Sequence, residues 1–259
     1  MNKLKLITPE QKHAFCMVSV APLRKEASDA SEIISQLLFG EPIEILSFGK
    51  PWVKVQSLLD GYDGFVDMKH LLPLTAKELK KWLDSKRYLS AKQTEIQTEW
   101  GLQTISKASL IGDEKHFQIG AYSFEILEQE TFNQKTIWEE ALDYLNTPYL
   151  WGGKNIAGID CSGFTQSVYR LFDINLPRDA YQQEAFGETI EFSDRKEGDL
   201  AFFVNANGKI IHVGILGNEN QIIHASGRVK IDELTFEGIF SYDFNEITHK
   251  LLSIKRIIH

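Results

Sequence analysis

Pro148-Tyr149-Leu150-Trp151-Gly152-Gly153 and then Gly158-Ile159-Asp160-Cys161-Ser162-Gly163-Phe164 form the stretch on which the fold turns. Before it, residues 136–145 place Ile137, Ala141, Leu142 and Leu145 on one helical face, and Pro148 ends that pattern. A glycine-rich loop follows, and residues 161–172 resume helical spacing. Beyond Leu176-Pro177 come strand patterns at 199–204, 209–216, 221–225 and 251–257. Helices first and a mostly antiparallel sheet after them predict an α+β domain.

Upstream the texture changes. Ala14-Phe15-Cys16-Met17-Val18-Ser19-Val20 is a short apolar run, and residues 32–39 form another that Gly40 stops. Pro42-Ile43-Glu44-Ile45-Leu46, Trp52-Val53-Lys54-Val55-Gln56 and Phe65-Val66 follow, the last after an Asp60-Gly61-Tyr62-Asp63-Gly64 turn. Five short strands in about 75 residues predict a small antiparallel barrel. A weaker copy of the pattern runs through 94–98, 102–106, 108–111 and 122–127, after a charged linker or short helix at 75–83. The expected division is 1–75, 76–128 and 129–259.

The 259 residues carry 28 basic and 36 acidic side chains, and the −8 net charge is uneven: −1 over residues 1–129 and −7 over 130–259. That field is wrong for a phosphate backbone or an anionic bilayer, so neither nucleic acid nor a membrane is an expected partner. No apolar run approaches the ~20 residues of a membrane span. Leu6-Ile7 is followed by Pro9, Glu10 and Lys12 rather than by a signal-peptide core, and two cysteines cannot build a disulfide framework. A cytoplasmic protein is expected, and its composition is compatible with a monomer.

Cys16 sits in an apolar strand and is expected in a core. Cys161 stands at the start of a helix among small and polar neighbours. There the helix dipole favours a thiolate, so a lowered thiol pKa is expected. A cysteine nucleophile needs a base and an orienting partner. Of seven histidines, His13, His70, His116, His249 and His259 fall in termini, turns or stretches expected to be solvated. His212 and His224 are instead embedded in apolar strands, where an imidazole needs a partner. A short Gly217-Asn218-Glu219-Asn220 connection predicts a hairpin that brings them together. One Cys and two His could also make an open zinc site, but the twelve-residue spacing is not that of a metal motif, and no cofactor is expected.

These same residues resemble the NlpC/p60 family of papain-like peptidases, as do Glu197-Gly198-Asp199-Leu200-Ala201-Phe202-Phe203, His212-Val213-Gly214 and Ile223-His224-Ala225-Ser226. The amino-terminal runs Leu37-Leu38-Phe39-Gly40-Glu41, Trp52-Val53-Lys54-Val55 and Asp60–Val66 resemble a bacterial SH3-like (SH3b) module, with 76–128 a divergent second copy. Two small all-β SH3b-like barrels ahead of a papain-like α+β domain resemble the layout of cytosolic γ-D-glutamyl-L-diamino-acid endopeptidases.

That resemblance implies a cysteine endopeptidase acting on small murein peptides, cutting between γ-D-Glu and the diamino acid and requiring a free terminal L-Ala. It implies Cys161 as nucleophile, His212 as general base and His224 as its orienting partner. Tyr149 would bond the substrate or the oxyanion. Asp160 would bind the L-Ala ammonium or cap the helix, with Ser162 positioning substrate. Tyr62 and Glu32 (with Ile34 the alternative register) would close the far end of the site from the first SH3b module. Arg178 would steady a substrate carboxylate. An exported enzyme acting on polymeric wall, and a non-catalytic SH3b binder, are the alternatives.

Overall fold

The computed structural model describes residues 5–128 and 135–258. The chain divides into two compact units, Met1–Phe132 and Asn133–His259. The catalytic boundary expected at 128/129 opens onto residues 129–134, outside the described residues.

In the amino-terminal unit, seven antiparallel strands run in the spatial order Ile33–Leu38, Val20–Arg24, Asp63–Asp67, Trp52–Ser57, Pro42–Ser47, His13–Cys16 and Leu71–Leu74. Period-two alternation turns Val53 and Val55 inward with Ala14, Cys16, Ala21, Leu37, Ile43 and Val66, a core wholly removed from water. Cys16 lies in that core. Thr75 then starts the Ala76–Ser85 helix through a capping box, its hydroxyl accepting from the Glu78 amide while Glu78 reaches back to the Thr75 amide. The second sheet pairs Gly101–Ser106, Gln93–Thr98, Tyr122–Ile126 and His116–Ile119. It shares an aromatic core with the first: Phe39 meets Phe124 at 5.2 Å edge-on, Phe124 stacks on Phe117 at 5.2 Å, and Phe117 on Trp82 at 6.0 Å.

In the carboxy-terminal unit, strands Glu246–Arg256, Leu200–Val204, Ile210–Leu216, Gln221–Ser226, Arg228–Leu234 and Gly238–Ser241 pair in that order. The last pairs back to the first, closing a six-stranded antiparallel ring, and Glu188–Ile190 adds an outer strand. The expected sheet is thus closed, and two of its strands, Arg228–Leu234 and Gly238–Ser241, had no predicted counterpart. The helices are Ile137–Leu142, shorter than expected, Cys161–Arg170 and Ala180–Glu184. Alternation splits the ring into two apolar faces. Phe202, Val213, Ile215 and Ile223 pack with Tyr144, Phe164 and Val168 of the helical layer, while Phe203, Leu216, Ile222 and Leu234 form a second cluster. No helix among the described residues is long and apolar enough to cross a membrane.

Candidate active site

The Cys161–Arg170 helix is buried along its whole length, and its start is built by close backbone approach. A Cβ on Gly163 would lie 2.2 Å from the Gly153 carbonyl oxygen, so only glycine lets the loop touch the helix here. Asp160 is the N-cap: its Oδ1 accepts from the Gly163 amide at 2.7 Å and its Oδ2 from the Gly152 amide at 2.8 Å.

Arg178 closes this end of the site. Its guanidinium reaches Asp160 through both nitrogens, at 3.0 and 2.5 Å, and bonds the Ser162 hydroxyl at 2.9 Å. All three side chains are buried, with Arg178 only 2% exposed. Asp160, Ser162 and Arg178 therefore form one cluster directly beside Cys161, in which the capping role of Asp160 is observed. Tyr149 sits on the outer side of the same wall, 36% exposed, its amide bonded to the Gly227 carbonyl at 2.9 Å. Burial, with Cys161 and Asp160 as negative neighbours, pushes its phenol pKa up, so the hydroxyl remains a donor at neutral pH.

Cys161 is 7% exposed. Burial and the adjacent Asp160 carboxylate push its thiol up to about 12, although the Val213 and Ser162 amides, which face the sulfur, pull the other way. The lowered pKa expected from the helix terminus is thus corrected: desolvation of a fully enclosed thiolate outweighs a half-charge dipole. At neutral pH the resting residue is a thiol, with amide donors already in place for the thiolate.

The base side is built from strands. His212 is held in the Ile210–Leu216 strand opposite Phe203, where the pairing shifts register and Ile211 is bulged out. Such bulges re-aim a neighbouring side chain. His212 Nε2 lies 2.8 Å from His224 Nδ1, across the predicted hairpin, and both rings are buried. Their second contacts differ. His224 Nε2 continues to Asp232 Oδ2 at 3.1 Å, whereas Nδ1 of His212 stands outside this row of contacts. Burial first, then neighbouring His224, His249 and Lys230, hold His212 well below its ordinary pKa, so the ring is neutral at pH 7.

Three residues of this cluster escaped sequence reading. His249, expected in solvent, lies with its ring centroid 4.3 Å from that of His212 and is lowered to about 4 by burial and by His224 and Lys230. Asp232 and Lys230 come from the unpredicted Arg228–Leu234 strand. Its register sets Lys230 opposite His224, so the period-two rule puts Lys230, Asp232 and His224 on one face. The alternation of Val229 and Ile231 with Lys230 and Asp232 was the available signal.

Tyr62 and Glu32 belong to the amino-terminal unit. Tyr62 leads into the Asp63–Asp67 strand, half-buried against that unit's core, and Glu32 precedes the Ile33–Leu38 strand, exposed, 3.8 Å from Lys25. Among the described residues no group of three His, Cys, Asp or Glu side chains could hold a metal ion.

Both units resemble known proteins. Residues 146–247 match the NlpC/P60 family, and residues 23–71 match the bacterial dipeptidyl-peptidase SH3 domain. Over 101 residues the chain is 36% identical to the gamma-D-glutamyl-L-lysine dipeptidyl-peptidase of Bacillus subtilis, which is 38% of this chain and 34% of that one. Over 96 residues it is 45% identical to the probable endopeptidase NlpC of Escherichia coli, 36% of this chain and 62% of the relative. The chain thus spans between about a third and three-fifths of these relatives' length. A crystal structure of an NlpC/P60 family protein from Bacillus cereus has the same fold, with a TM-score of 0.78 at 19% identity over 96% of this chain and 100% of that one. The chain therefore carries a papain-like α+β domain of the NlpC/P60 family, a family of peptidases, preceded by an SH3-like β-barrel region.

Proposed function

We propose that this protein is a cysteine endopeptidase that hydrolyses the γ-D-glutamyl–diamino-acid bond of small peptidoglycan peptides bearing a free N-terminal L-Ala. The observation that carries the catalytic part is the pairing of a helix-start thiol, faced by the Val213 amide, with an adjoining buried His212 whose far nitrogen is tied to His224. The bond specificity is supported by the name of the Bacillus subtilis relative.

Cys161 Sγ attacks the γ-carbonyl carbon as its proton passes to His212 Nδ1. Both groups are neutral at rest, so proton transfer accompanies attack, as in general-base catalysis. The Tyr149 hydroxyl, kept protonated, donates to the developing oxyanion. As the carbon–nitrogen bond breaks, His212 gives its proton to the leaving amine. Water then adds to the thioester with His212 again as base, releasing L-Ala-γ-D-Glu and the thiol.

Asp160 carries the negative charge nearest the nucleophile, but Arg178 neutralises it. The L-Ala ammonium is received where Asp160 and Ser162 stand beside the thiol. Arg178 then holds Asp160 and Ser162 in place for the substrate. Two free thiols suit a reducing compartment, and we place the activity in the cytoplasm, on peptides released from the wall.

The test is hydrolysis of L-Ala-γ-D-Glu-diaminopimelate and its lysine analogue. Wild type should release L-Ala-γ-D-Glu, Cys161→Ala should not, and N-acetylation of the substrate should cost at least about tenfold in kcat/KM, the loss of one charge-assisted contact. Equal turnover of the acetylated peptide would remove the amine requirement. Faster cleavage of intact wall than of free peptide would favour the polymer-cutting alternative.

A further inference from the structure

Beyond the pair of histidines lies a buried acid that the proposed chemistry does not yet use. Asp232 is 2% exposed, and every oxygen it has is engaged: Oδ1 accepts from the Tyr242 amide at 3.1 Å, and Oδ2 faces both His224 Nε2 at 3.1 Å and Lys230 Nζ at 3.0 Å. Lys230, itself buried, goes on to Ser241 Oγ at 3.1 Å and Asp243 Oδ2 at 3.0 Å. A row of polar contacts thus runs from His212 through His224 and Asp232 to Lys230 and outward to Asp243.

The row has a direction. A carboxylate accepts and cannot donate, so the ring nitrogen facing it must carry the hydrogen. That places the single N–H of neutral His224 on Nε2 and leaves Nδ1 as an acceptor. His212 Nε2, 2.8 Å away, must then be the donor in their shared bond. A neutral imidazole has one N–H, so Nδ1 of His212 is left with its lone pair. Burial opposes ionisation of Asp232, but the bonds from His224, Lys230 and the Tyr242 amide overcome it and hold its pKa well down, so it is a carboxylate throughout the neutral range.

We propose that Asp232, acting through His224, is a positioning residue that fixes His212 in the Nε2–H tautomer and so leaves Nδ1 free to accept the Cys161 proton. This rests on the assignment of Cys161 and His212 as nucleophile and base. Lys230 sharpens the device. By sharing Oδ2 it holds the carboxylate in place and balances its charge, so Asp232 contributes tautomer and ring direction more than stabilisation of an imidazolium. A structural ion pair alone would need Asp232 and Lys230 but would be indifferent to which His212 nitrogen is protonated.

The first measurement uses the unaltered protein. Two-bond 1H–15N correlation spectra of the full 15N-labelled chain, with His212 assigned by the signals lost in His212→Ala, should show a protonated Nε2 and an unprotonated Nδ1. A protonated Nδ1 would overturn the proposal whether or not any variant folds. The second uses Asp232→Asn. With its oxygen kept by the Tyr242 amide, the new NH2 faces His224 Nε2, which must then accept, and both rings switch tautomer. The expected loss is on the order of 10²–10⁴ in kcat with KM within about threefold, since a wrong tautomer removes the base and not the binding site. Alkylation of Cys161 by iodoacetamide should slow in parallel, and Asp232→Glu should recover part of both rates. An unchanged His212 tautomer in Asp232→Asn, or kcat and alkylation within twofold of wild type, would overturn the proposal. If the wild type fails to cut the γ-glutamyl peptide, the proposed substrate is wrong, while the tautomer spectrum and the alkylation rate still decide the role of Asp232.

Discussion

Buried polar residues stand on both sides of the Cys161 thiol, yet they are wired differently. On the helix side, Asp160, Arg178, Ser162 and the Gly152 and Gly163 amides close on one another, a carboxylate receiving two amides and a bidentate guanidinium. On the strand side, the contacts run in series from Asp232 to His224 to His212 Nε2, and His212 Nδ1 takes no part in them. A closed cluster holds its geometry and resists protonation changes. A series with an open end transmits one. The difference predicts that damage to the helix side registers first as lost stability, and damage to the strand side as lost rate in a protein that remains folded.

The largest effect should come at the open end. If nucleophile and base are as proposed, Cys161→Ala and His212→Ala each remove a member of a pair that acts as a unit, and either should cost about 10⁴-fold or more in kcat, with the double variant little worse than either alone. Melting temperatures should stay within a few degrees of wild type. Full additivity of the two losses would mean that the residues work independently and would break the comparison.

The pH dependence of thiol reactivity comes next. A thiol pushed up to about 12 is almost wholly protonated at pH 7, and its thiolate fraction grows tenfold for each unit of rise until about pH 12. His212, held below 6.5, does not become the imidazolium that would stabilise a resting thiolate. Alkylation of Cys161 should therefore climb by up to about 10³-fold from pH 7 to 10. Thiolate absorbance at about 240 nm already present at pH 7 and lost in Cys161→Ala would show a preformed thiolate–imidazolium pair and refute the neutral resting state.

Arg178→Met probes the closed side. It strands a buried carboxylate, and removing one partner of a buried ion pair costs about 3–5 kcal/mol. Thermal or urea unfolding should show that loss, and Asp160→Asn in the same chain should recover part of it, because the remaining partner is then uncharged. A variant of wild-type stability with activity selectively abolished would place Arg178 with the reacting groups instead.

What could be read in advance follows the same division. Cys161, His212 and His224 were legible because each breaks a local pattern: a thiol at a helix start, an imidazole inside an apolar strand. Asp232, Lys230 and His249 break none. Lys230 and Asp232 alternate with Val229 and Ile231 as on any half-exposed strand, and only closure of the ring turns that face inward. His249 lies in the long Glu246–Arg256 strand, much of it exposed, and reaches His212 where pairing with Gly238–Ser241 shifts register between Ile239 and Phe240. The Arg178–Asp160 pair spans 18 residues and is invisible to any local window. Thiol pKa failed for a related reason: a helix terminus can be read from sequence, whereas the degree of burial that outweighs it depends on everything packed around it.

Tyr149 lies where the two sides meet, and its variant should have the smallest effect. Its backbone belongs to the strand side, through the Gly227 carbonyl, while its phenol feels Cys161, Asp160 and Arg178 on the helix side. If the hydroxyl donates only to the oxyanion, Tyr149→Phe removes one hydrogen bond made in the transition state and leaves the ring's packing intact. One such bond is worth about 1–1.5 kcal/mol, or roughly tenfold in kcat, with KM and melting temperature unmoved. A rise in KM at constant kcat would instead assign the hydroxyl to ground-state binding of the peptide. A drop in stability with no kinetic change would assign it to the closed cluster. Since kcat, KM and melting temperature separate the three roles, this one substitution locates the boundary between the part of the site that holds and the part that reacts.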